Sequence, residues 1–408
     1  MSISQKDRAI LRDLAKRHAE LAASPRNQKL YQDWVTYGNT AGPSRPMIRI
    51  EINTFEHEIL PDMMKCEGEE ARAIERNMLR PIANFTLFED DTLIPRQYNV
   101  RQRLSIVPFG LPVRRQETGS LGHHFIPYLH DLEEDEHLLG PSTFHYDVEG
   151  TRQDEATANE IFGDILPARI TNGCAYSCIT QDIVHIMNMD DMYIAMMDDE
   201  ERFHKMMRQL TDDYLAMFTM MAEGGHYRSA ARDQMLNQGS YCFTNELPDG
   251  KENAALKDMW IFMDSQETAG ISPAMYKELV WPYYKELMSC FGLASYGCCE
   301  ASHPIWDSCL SELKNLRKVS ISPWCDEEFM GERLRGTGVT FLRKPPATIL
   351  GMDTPNLDEE ATLNCFRKTA QAAKGCKLEI AQRDVYMVGH SPEKVRRFVE
   401  LARKGLES

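Results

Sequence analysis

The sequence contains no run of about 18 consecutive apolar residues, the length that a membrane-spanning helix needs. Its first ten residues, MSISQKDRAI, have no apolar core of the kind found in secretory signal peptides. We find no cluster of basic residues, and the net charge of −16 repels nucleic acid and anionic membranes. These absences predict a soluble cytoplasmic protein that binds neither membranes nor nucleic acid.

Glycine-rich phosphate-binding loops are absent as well, since no G-x-G-x-x-G and no Walker sequence follows a predicted strand. Nucleotide cofactors are therefore not expected. The 11 cysteines are odd in number and scattered along the chain, which argues against a disulfide framework. We interpret them as reduced thiols, most of them small buried hydrophobic residues.

The 408 residues, of which 42% are hydrophobic, are sufficient for one large α/β domain with an extension. Apolar residues at helical spacing predict a helix over residues 5 to 23, and RPMIRIEI predicts a strand. From about residue 165 the chain alternates between short strands and helices, which favours a (β/α)₈ barrel over an open sheet. We predict an N-terminal extension, residues 1–95, packed on a barrel of residues 96–408.

The predicted strands of this alternating region share a β-branched or aromatic composition: PARITNG, WIFM, LASY, KVSIS, TFL and KLEIAQ, with QMLNQGSYCF as a possible further strand. Between WIFM and LASY lies the helical segment AMYKELVWPYYKELMSCF, which Pro282 is predicted to kink. In a barrel, the working residues lie at the carboxyl ends of the strands. That rule selects Asp264 to Glu267, Cys298 to Glu300, Trp324 to Asp326, Arg343 with Lys344, and Arg383 with Asp384.

Several acids and thiols on one rim suggest a metal, because a buried carboxylate without a partner costs several kcal/mol. Zinc accepts cysteine, histidine and carboxylate ligands. Cys298 and Glu300 alternate along a segment expected to be extended, so we expect both to point the same way and Cys299 to point outward. Glu267, Cys325 or His303 would add a ligand. The alternative, that both cysteines only fill space beneath a loop, stays open.

The segments SQETAGISPAMYKELVWPYYKELM, SYGCCE, NLRKVSISPWCD, FLRKPPA and LEIAQRDVY together resemble the uroporphyrinogen-decarboxylase-like superfamily, and more closely its corrinoid-dependent methyltransferase branch. The resemblance extends upstream through RPMIRIEI and IERNMLRPI. It implies a (β/α)₈ barrel that commonly pairs into a homodimer. Many members transfer methyl groups to or from corrinoid cobalt with a zinc ion at the barrel rim.

The sequence departs from this family in two places. Thiol-methylating members carry His-x-Cys and a later cysteine. Here the position of the histidine is Tyr296. No cysteine follows the last predicted strand, because Cys376 precedes it. The arginine-rich motif with which uroporphyrinogen decarboxylases hold propionates is also missing. These departures put the zinc ligands in question and disfavour porphyrinogen decarboxylation.

Our main hypothesis is a methyltransferase of anaerobic metabolism that demethylates a small methylated substrate, such as an aryl methyl ether, and passes the methyl group to a corrinoid protein. Three residues are the predicted zinc ligands: Cys298, Glu300 and Cys325. Glu267 and Asp326 are the predicted proton donors or substrate anchors. Tyr296 and Trp324 are predicted to form aromatic walls.

Two alternatives remain. A decarboxylase of a tetrapyrrole or another acid would bind carboxylates through Arg343, Lys344 and Arg383, although these cations serve equally well in salt bridges at the rim. A non-catalytic corrinoid-binding scaffold would not need clustered acids and thiols at successive strand ends.

Overall fold

The computed structural model describes residues 3–39, 44–117, 123–354 and 356–407. Its centre is a sheet of seven parallel strands, which confirms the α/β class. In chain order the strands are β1 (Met47–Ile50), β2 (Ala175–Ser177), β3 (Trp260–Met263), β4 (Leu293–Tyr296), β5 (Leu316–Ile321), β6 (Thr340–Arg343) and β7 (Lys377–Gln382). Every residue of β1, β3, β4 and β6 is buried, as expected for a parallel sheet covered on both faces.

The order of the strands is β1-β7-β6-β5-β4-β3-β2, so the first strand lies beside the last, as in a barrel. Within the described residues no pairing joins β1 to β2, and the sheet is barrel-like with seven strands rather than the predicted closed barrel of eight. The open edge of β1 is satisfied by side chains. The amides of Ile48 and Ile50 donate to the carboxylates of Asp91 (2.7 Å) and Asp90 (2.8 Å).

The position of β1 also concerns the predicted division of the chain into an N-terminal extension and a barrel. Residues 1–95 were expected to form an extension packed on the barrel, but β1 belongs to the central sheet and pairs with β7 through Met47 and Glu379. Two helices precede β1. The first is confirmed at Gln5–Ala23, where the Ser4 side chain accepts from the Asp7 amide as an N-cap.

One predicted barrel strand was wrong. Ala168–Thr171, within PARITNG, pairs with Tyr98–Arg101 in a separate two-stranded sheet. The side chain of Asn159 holds this strand by accepting from and donating to the backbone of Ala168. The strand that enters the central sheet is the next one, β2, which has only three residues.

The other two-stranded sheets pair Leu104–Val107 with Thr143–Tyr146, Arg115–Glu117 with His123–Phe125, and Met235–Asn237 with Ser240–Tyr241. The helices with α-helical geometry are Gln5–Ala23, Pro25–Gly38, Glu56–Ile59, Glu69–Ala83, Leu132–Asp135, Val148–Phe162, Ile179–Val184, Met189–Asp198, Glu200–Glu223, Pro273–Met275, Trp281–Cys290, His303–Trp306, Glu327–Leu334, Glu359–Ala372 and Pro392–Leu406.

The kink predicted at Pro282 is confirmed. A π-helical turn, Tyr276–Val280, precedes the helix Trp281–Cys290, and Val280 has non-helical torsions. Among the described residues, no helix combines the length and apolar character that crossing a bilayer requires.

Candidate active site at the carboxyl ends of the strands

A cavity of about 1170 Å³ lies where the carboxyl ends of β3, β4 and β5 meet. The loops after these strands contribute Glu267, Glu300 and Trp324 to its wall. The helix Ile179–Val184 and the hairpin strands Arg115–Glu117 and His123–Phe125 line the other side. This is the edge of the sheet at which barrel enzymes place their active sites.

Glu267 lies in a short 3₁₀ turn directly after β3 and is 6% exposed. One carboxylate oxygen accepts from the Thr180 hydroxyl at 2.9 Å, and the other lies 3.5 Å from the amide nitrogen of Gln181. No lysine or arginine of the described residues lies within ion-pair distance. Burial raises the pKa of Glu267, and the nearby carboxylate of Glu300 raises it further.

Asp264, at the end of β3, is 3% exposed, and its Oδ1 has no hydrogen-bond partner among the described residues. Burial, followed by repulsion from Glu300, raises the pKa of Asp264 to about 8. A carboxyl group in this state keeps its proton at neutral pH. It therefore adds no negative charge to this buried part of the site.

Glu300 joins the loops that follow β3 and β4. One oxygen accepts from the amide of Ser265 at 3.0 Å and the other from the amide of Cys298 at 2.8 Å. The second bond requires the chain to turn back immediately after β4. Gly297 makes this turn with a φ of 99°, a conformation that disfavours side-chain-bearing residues.

The same turn reverses the expected orientation of the two cysteines. Cys299 lines the cavity, whereas Cys298 is 6% exposed and its Sγ lies 3.5 Å from Arg383 Nη1. The prediction that Cys299 points outward was wrong because the segment after Gly297 is not extended.

The predicted zinc ligands do not gather into a set. Cys325 Sγ lies 3.2 Å from the hydroxyl of Ser302, while both oxygens of Glu300 accept from backbone amides. In the described parts of the chain, no three histidine, cysteine or acidic side chains are grouped to hold a metal ion. His303 accepts from the backbone amide of Asp326 through Nδ1. These residues, as arranged, do not fit zinc, and we derive no chemical step through it.

Of the two predicted aromatic walls, Trp324 lines the cavity and is 77% exposed. Tyr296 is fully buried behind the wall, where its hydroxyl lies 2.5 Å from Ser265 Oγ and 2.8 Å from the hydroxyl of Tyr276. Asp326, a predicted proton donor, lies outside the cavity lining and caps the helix Glu327–Leu334. Only Trp324 of these three is positioned to touch a molecule in the cavity.

Each of the three predicted substrate-binding cations is occupied by internal groups. Arg343 forms a buried ion pair with Glu327 at 2.7 Å. Lys344 Nζ donates to Gln238 at 2.6 Å and to the carbonyl oxygen of Cys298 at 3.0 Å. The third cation, Arg383, binds Glu51 at 2.9 Å. None of the three lines the cavity.

Sequence reasoning missed the residues contributed by the segment after β2. Thr180 and Gln181 hold the carboxyl group of Glu267, and Cys178 Sγ donates to the carbonyl oxygen of Asp264 at 3.0 Å. Their signal is weak because β2 is too short to show an alternating pattern. To predict these residues from the sequence, one would have had to place the segment CIT, residues 178–180, at the end of a strand.

Comparison with known proteins reveals likeness at the level of the fold. No protein-family model matches the sequence, and no curated protein matches it. A methyltransferase from Methanosarcina mazei has 11% identity and a TM-score of 0.53, with 93% of this chain and 99% of that chain covered. A B12-independent methionine synthase from Shewanella sp. W3-18-1, in complex with selenomethionine, has 11% identity and a TM-score of 0.30, covering 65% and 69%.

The first of these likenesses shows that the chain shares the barrel-like α/β fold of a methyltransferase over nearly its full length. At this identity it shows the fold alone, and a fold hosts many activities. The predicted barrel-like architecture is thus supported, and the uroporphyrinogen-decarboxylase-like superfamily stays a prediction. The corrinoid-dependent branch stays a prediction.

Proposed function

We propose that the protein transfers a methyl group from a small methylated donor to the cobalt of a corrinoid carried by a partner protein. The observation that carries this proposal is the cavity of about 1170 Å³ with two buried carboxyl groups, Glu267 and Glu300, in its wall. Small-ligand pockets usually measure ~300–1000 Å³. A small donor would therefore leave room for a second reactant to enter.

The donor that fits the lining best is an aryl methyl ether. Phe125, Tyr276 and Trp324 line the cavity and offer aromatic surfaces to an aryl ring. Demethylation breaks the bond between oxygen and the methyl carbon, and the oxygen leaves with the electron pair. That oxygen needs a proton, whereas the methyl carbon is taken up by an electron pair of the acceptor.

Glu267 is the residue positioned to supply this proton. Burial raises its pKa, and Thr180 and Gln181 hold the two oxygens of the carboxyl group in the cavity wall. After the transfer, the donor has become a hydroxyl compound and Glu267 a carboxylate. Glu300, held by two backbone amides, shapes the wall and keeps the pKa of Glu267 raised.

Decarboxylation of a tetrapyrrole or another acid is less well supported. It would need free cations in the cavity, and Arg343, Lys344 and Arg383 are all engaged with internal partners. A non-catalytic scaffold would have no use for buried, cation-free carboxyl groups, because they lower stability.

The test combines the purified protein, a reduced corrinoid protein and a panel of methoxyarenes, and follows the absorbance of methylcobalamin. We expect methylation of the corrinoid with at least one donor and only when all three components are present. Absence of methylation with every donor, together with release of carbon dioxide from uroporphyrinogen, would replace this proposal by the decarboxylase.

Metal analysis addresses the zinc that the sequence predicted. We expect the same zinc content in the wild type and in the Cys298→Ala and Glu300→Ala variants, because these side chains do not form a ligand set in the structure. A stoichiometric ion lost in either variant would re-establish that residue as a ligand.

A further inference from the structure

Two thiols lie side by side at the edge of the cavity. The Sγ atoms of Cys298 and Cys299 are 3.5 Å apart. All eleven cysteines belong to the described residues, and this is the one pair whose thiols are in contact. Neither thiol has a role in the methyl transfer proposed above.

The backbone holds this pair in place from two directions. The Cys298 amide donates to Glu300 at 2.8 Å, and the Cys298 carbonyl oxygen accepts from Lys344 Nζ at 3.0 Å. Gly297 can turn the chain here, but a Cβ atom added to it would meet Ser320 Cβ at 3.1 Å. The contact between the thiols is therefore built into the turn that follows β4.

The two thiols differ in access. Cys299 is partly exposed and lines the cavity, so its thiol is the one that a small molecule entering the cavity can approach. Cys298 is 6% exposed and lies beneath it, with Arg383 Nη1 at 3.5 Å from the sulfur. One thiol is thus placed to react first and the other to react only with its neighbour.

We propose that Cys298 and Cys299 form a reversible oxidation site that closes into a disulfide between adjacent residues. The oxidant is a low-molecular-weight disulfide. Cys299, having lost its proton to solvent, attacks one sulfur of the oxidant, breaks its S–S bond and releases one thiol. Cys298 then loses its proton and attacks the Cys299 sulfur, which releases the second thiol. Two cysteine thiols are oxidised and one disulfide is reduced to two thiols.

The product is an easily reduced bond. Adjacent Cα atoms lie about 3.8 Å apart, whereas the Cα atoms of ordinary disulfides lie roughly 4.4–6.8 Å apart. The ring that joins neighbours is therefore strained, and strained disulfides have more oxidising potentials. Closing it brings together two sulfurs that now lie 3.5 Å apart, one of which belongs to Cys299 in the cavity wall.

The test treats the reduced full-length protein with oxidised glutathione, blocks the remaining thiols, and measures the intact mass and the masses of its peptides. We expect the loss of two hydrogens, located within the single peptide that contains Cys298 and Cys299, and full recovery after dithiothreitol. The Cys290→Ser variant, which removes a thiol on a distant helix, is the matched control and should behave as the wild type.

The two site variants separate the steps. Cys298→Ser should retain a glutathione adduct on Cys299, because the thiol that resolves it is missing. Cys299→Ser should acquire neither the internal disulfide nor an adduct on Cys298. Peptide mapping of the wild type tests the proposal even if a variant fails to fold. A wild type that loses no hydrogens, or that keeps glutathione on Cys299, would overturn the proposal.

Discussion

Glu379 in β7 and Asp264 at the end of β3 are both buried carboxyl groups, but only Glu379 has a cation partner. Lys318 Nζ lies 2.9 Å from Glu379, and the second buried acid of that region, Glu327, binds Arg343 at 2.7 Å. Around the cavity, Asp264 and Glu267 have no such partner among the described residues. The two regions remove the cost of a buried negative charge in different ways.

Besides hydrogen bonds, a cation at close range can compensate the charge of a buried carboxylate, and a proton can remove that charge. The region of β5 to β7 uses the first solution, which fixes both side chains and leaves no group to react. Asp264, whose pKa burial raises to about 8, uses the second, and a carboxyl group that holds a proton can also give it away. We therefore interpret the buried acids near β5 to β7 as structural and the buried acids around the cavity as groups that can exchange a proton.

Glu267→Gln gives the largest expected effect. An amide cannot donate the proton that the leaving oxygen needs, so the rate of methyl transfer should fall by ~10²–10⁴-fold. Initial rates of methyl transfer under saturating donor measure this loss. The matched control is Glu312→Gln, which alters a surface ion pair with Lys285 and should leave the rate unchanged. Equal rates in Glu267→Gln and the wild type would end the assignment of this residue as proton donor.

Arg343→Ala should show that this cation belongs to the structural region. The substitution leaves Glu327 buried without a cation, although Thr369 still donates to it, so the free energy of unfolding should fall by about 3–5 kcal/mol. Urea denaturation measures it. The double variant Arg343→Met, Glu327→Leu should recover most of the loss, since it removes both charges. A stable Arg343→Ala protein with weakened donor binding would instead support the substrate-binding role predicted from the sequence.

Asp264→Asn tests whether the buried carboxyl group of Asp264 holds a proton, through the pH dependence of stability. The pKa of Asp264 rises from 3.8 to about 8 on folding, so between these values the folded protein binds a proton that the unfolded chain has released. Stability from this group is present at low pH and is lost as the pH rises through that interval. As the pH rises through this interval, the variant should therefore lose less stability than the wild type. Urea denaturation at several pH values measures the difference. Parallel curves would contradict the shift.

Trp324→Ala has the smallest expected effect. Its side chain is 77% exposed, so the free energy of unfolding should change by no more than about 0.5 kcal/mol. Because the ring lines the cavity, the apparent KM for an aromatic donor should rise a few-fold while kcat changes little. An unchanged KM would remove Trp324 from the donor site.

The strand ends could be predicted from the sequence because parallel strands carry their active residues to one edge. Glu267, Glu300 and Trp324 were selected in this way, and the structure brings all three to one cavity. Their strands have four or five buried residues, a pattern that is visible in composition alone.

Other features depend on contacts between segments far apart in the chain. The pairing of Arg343 with Glu327, and of Lys344 with Gln238, leaves no local trace, so both cations resembled substrate ligands. The orientation of Cys298 depends on the positive φ of Gly297, which alternation along a strand cannot anticipate. The edge of β1 is satisfied by Asp90 and Asp91 rather than by a strand, and the eighth strand was therefore overpredicted.

The most direct test of the contrast between the two regions is infrared spectroscopy of the carboxyl groups at neutral pH. A protonated carboxyl group absorbs through its C=O bond at a frequency distinct from that of a carboxylate. We predict such a band in the wild type, a weaker band in Asp264→Asn, and an unchanged band in Asp326→Asn, which alters an exposed helix cap. A wild type without the band, or an Asp264→Asn variant with the band undiminished, would contradict the account.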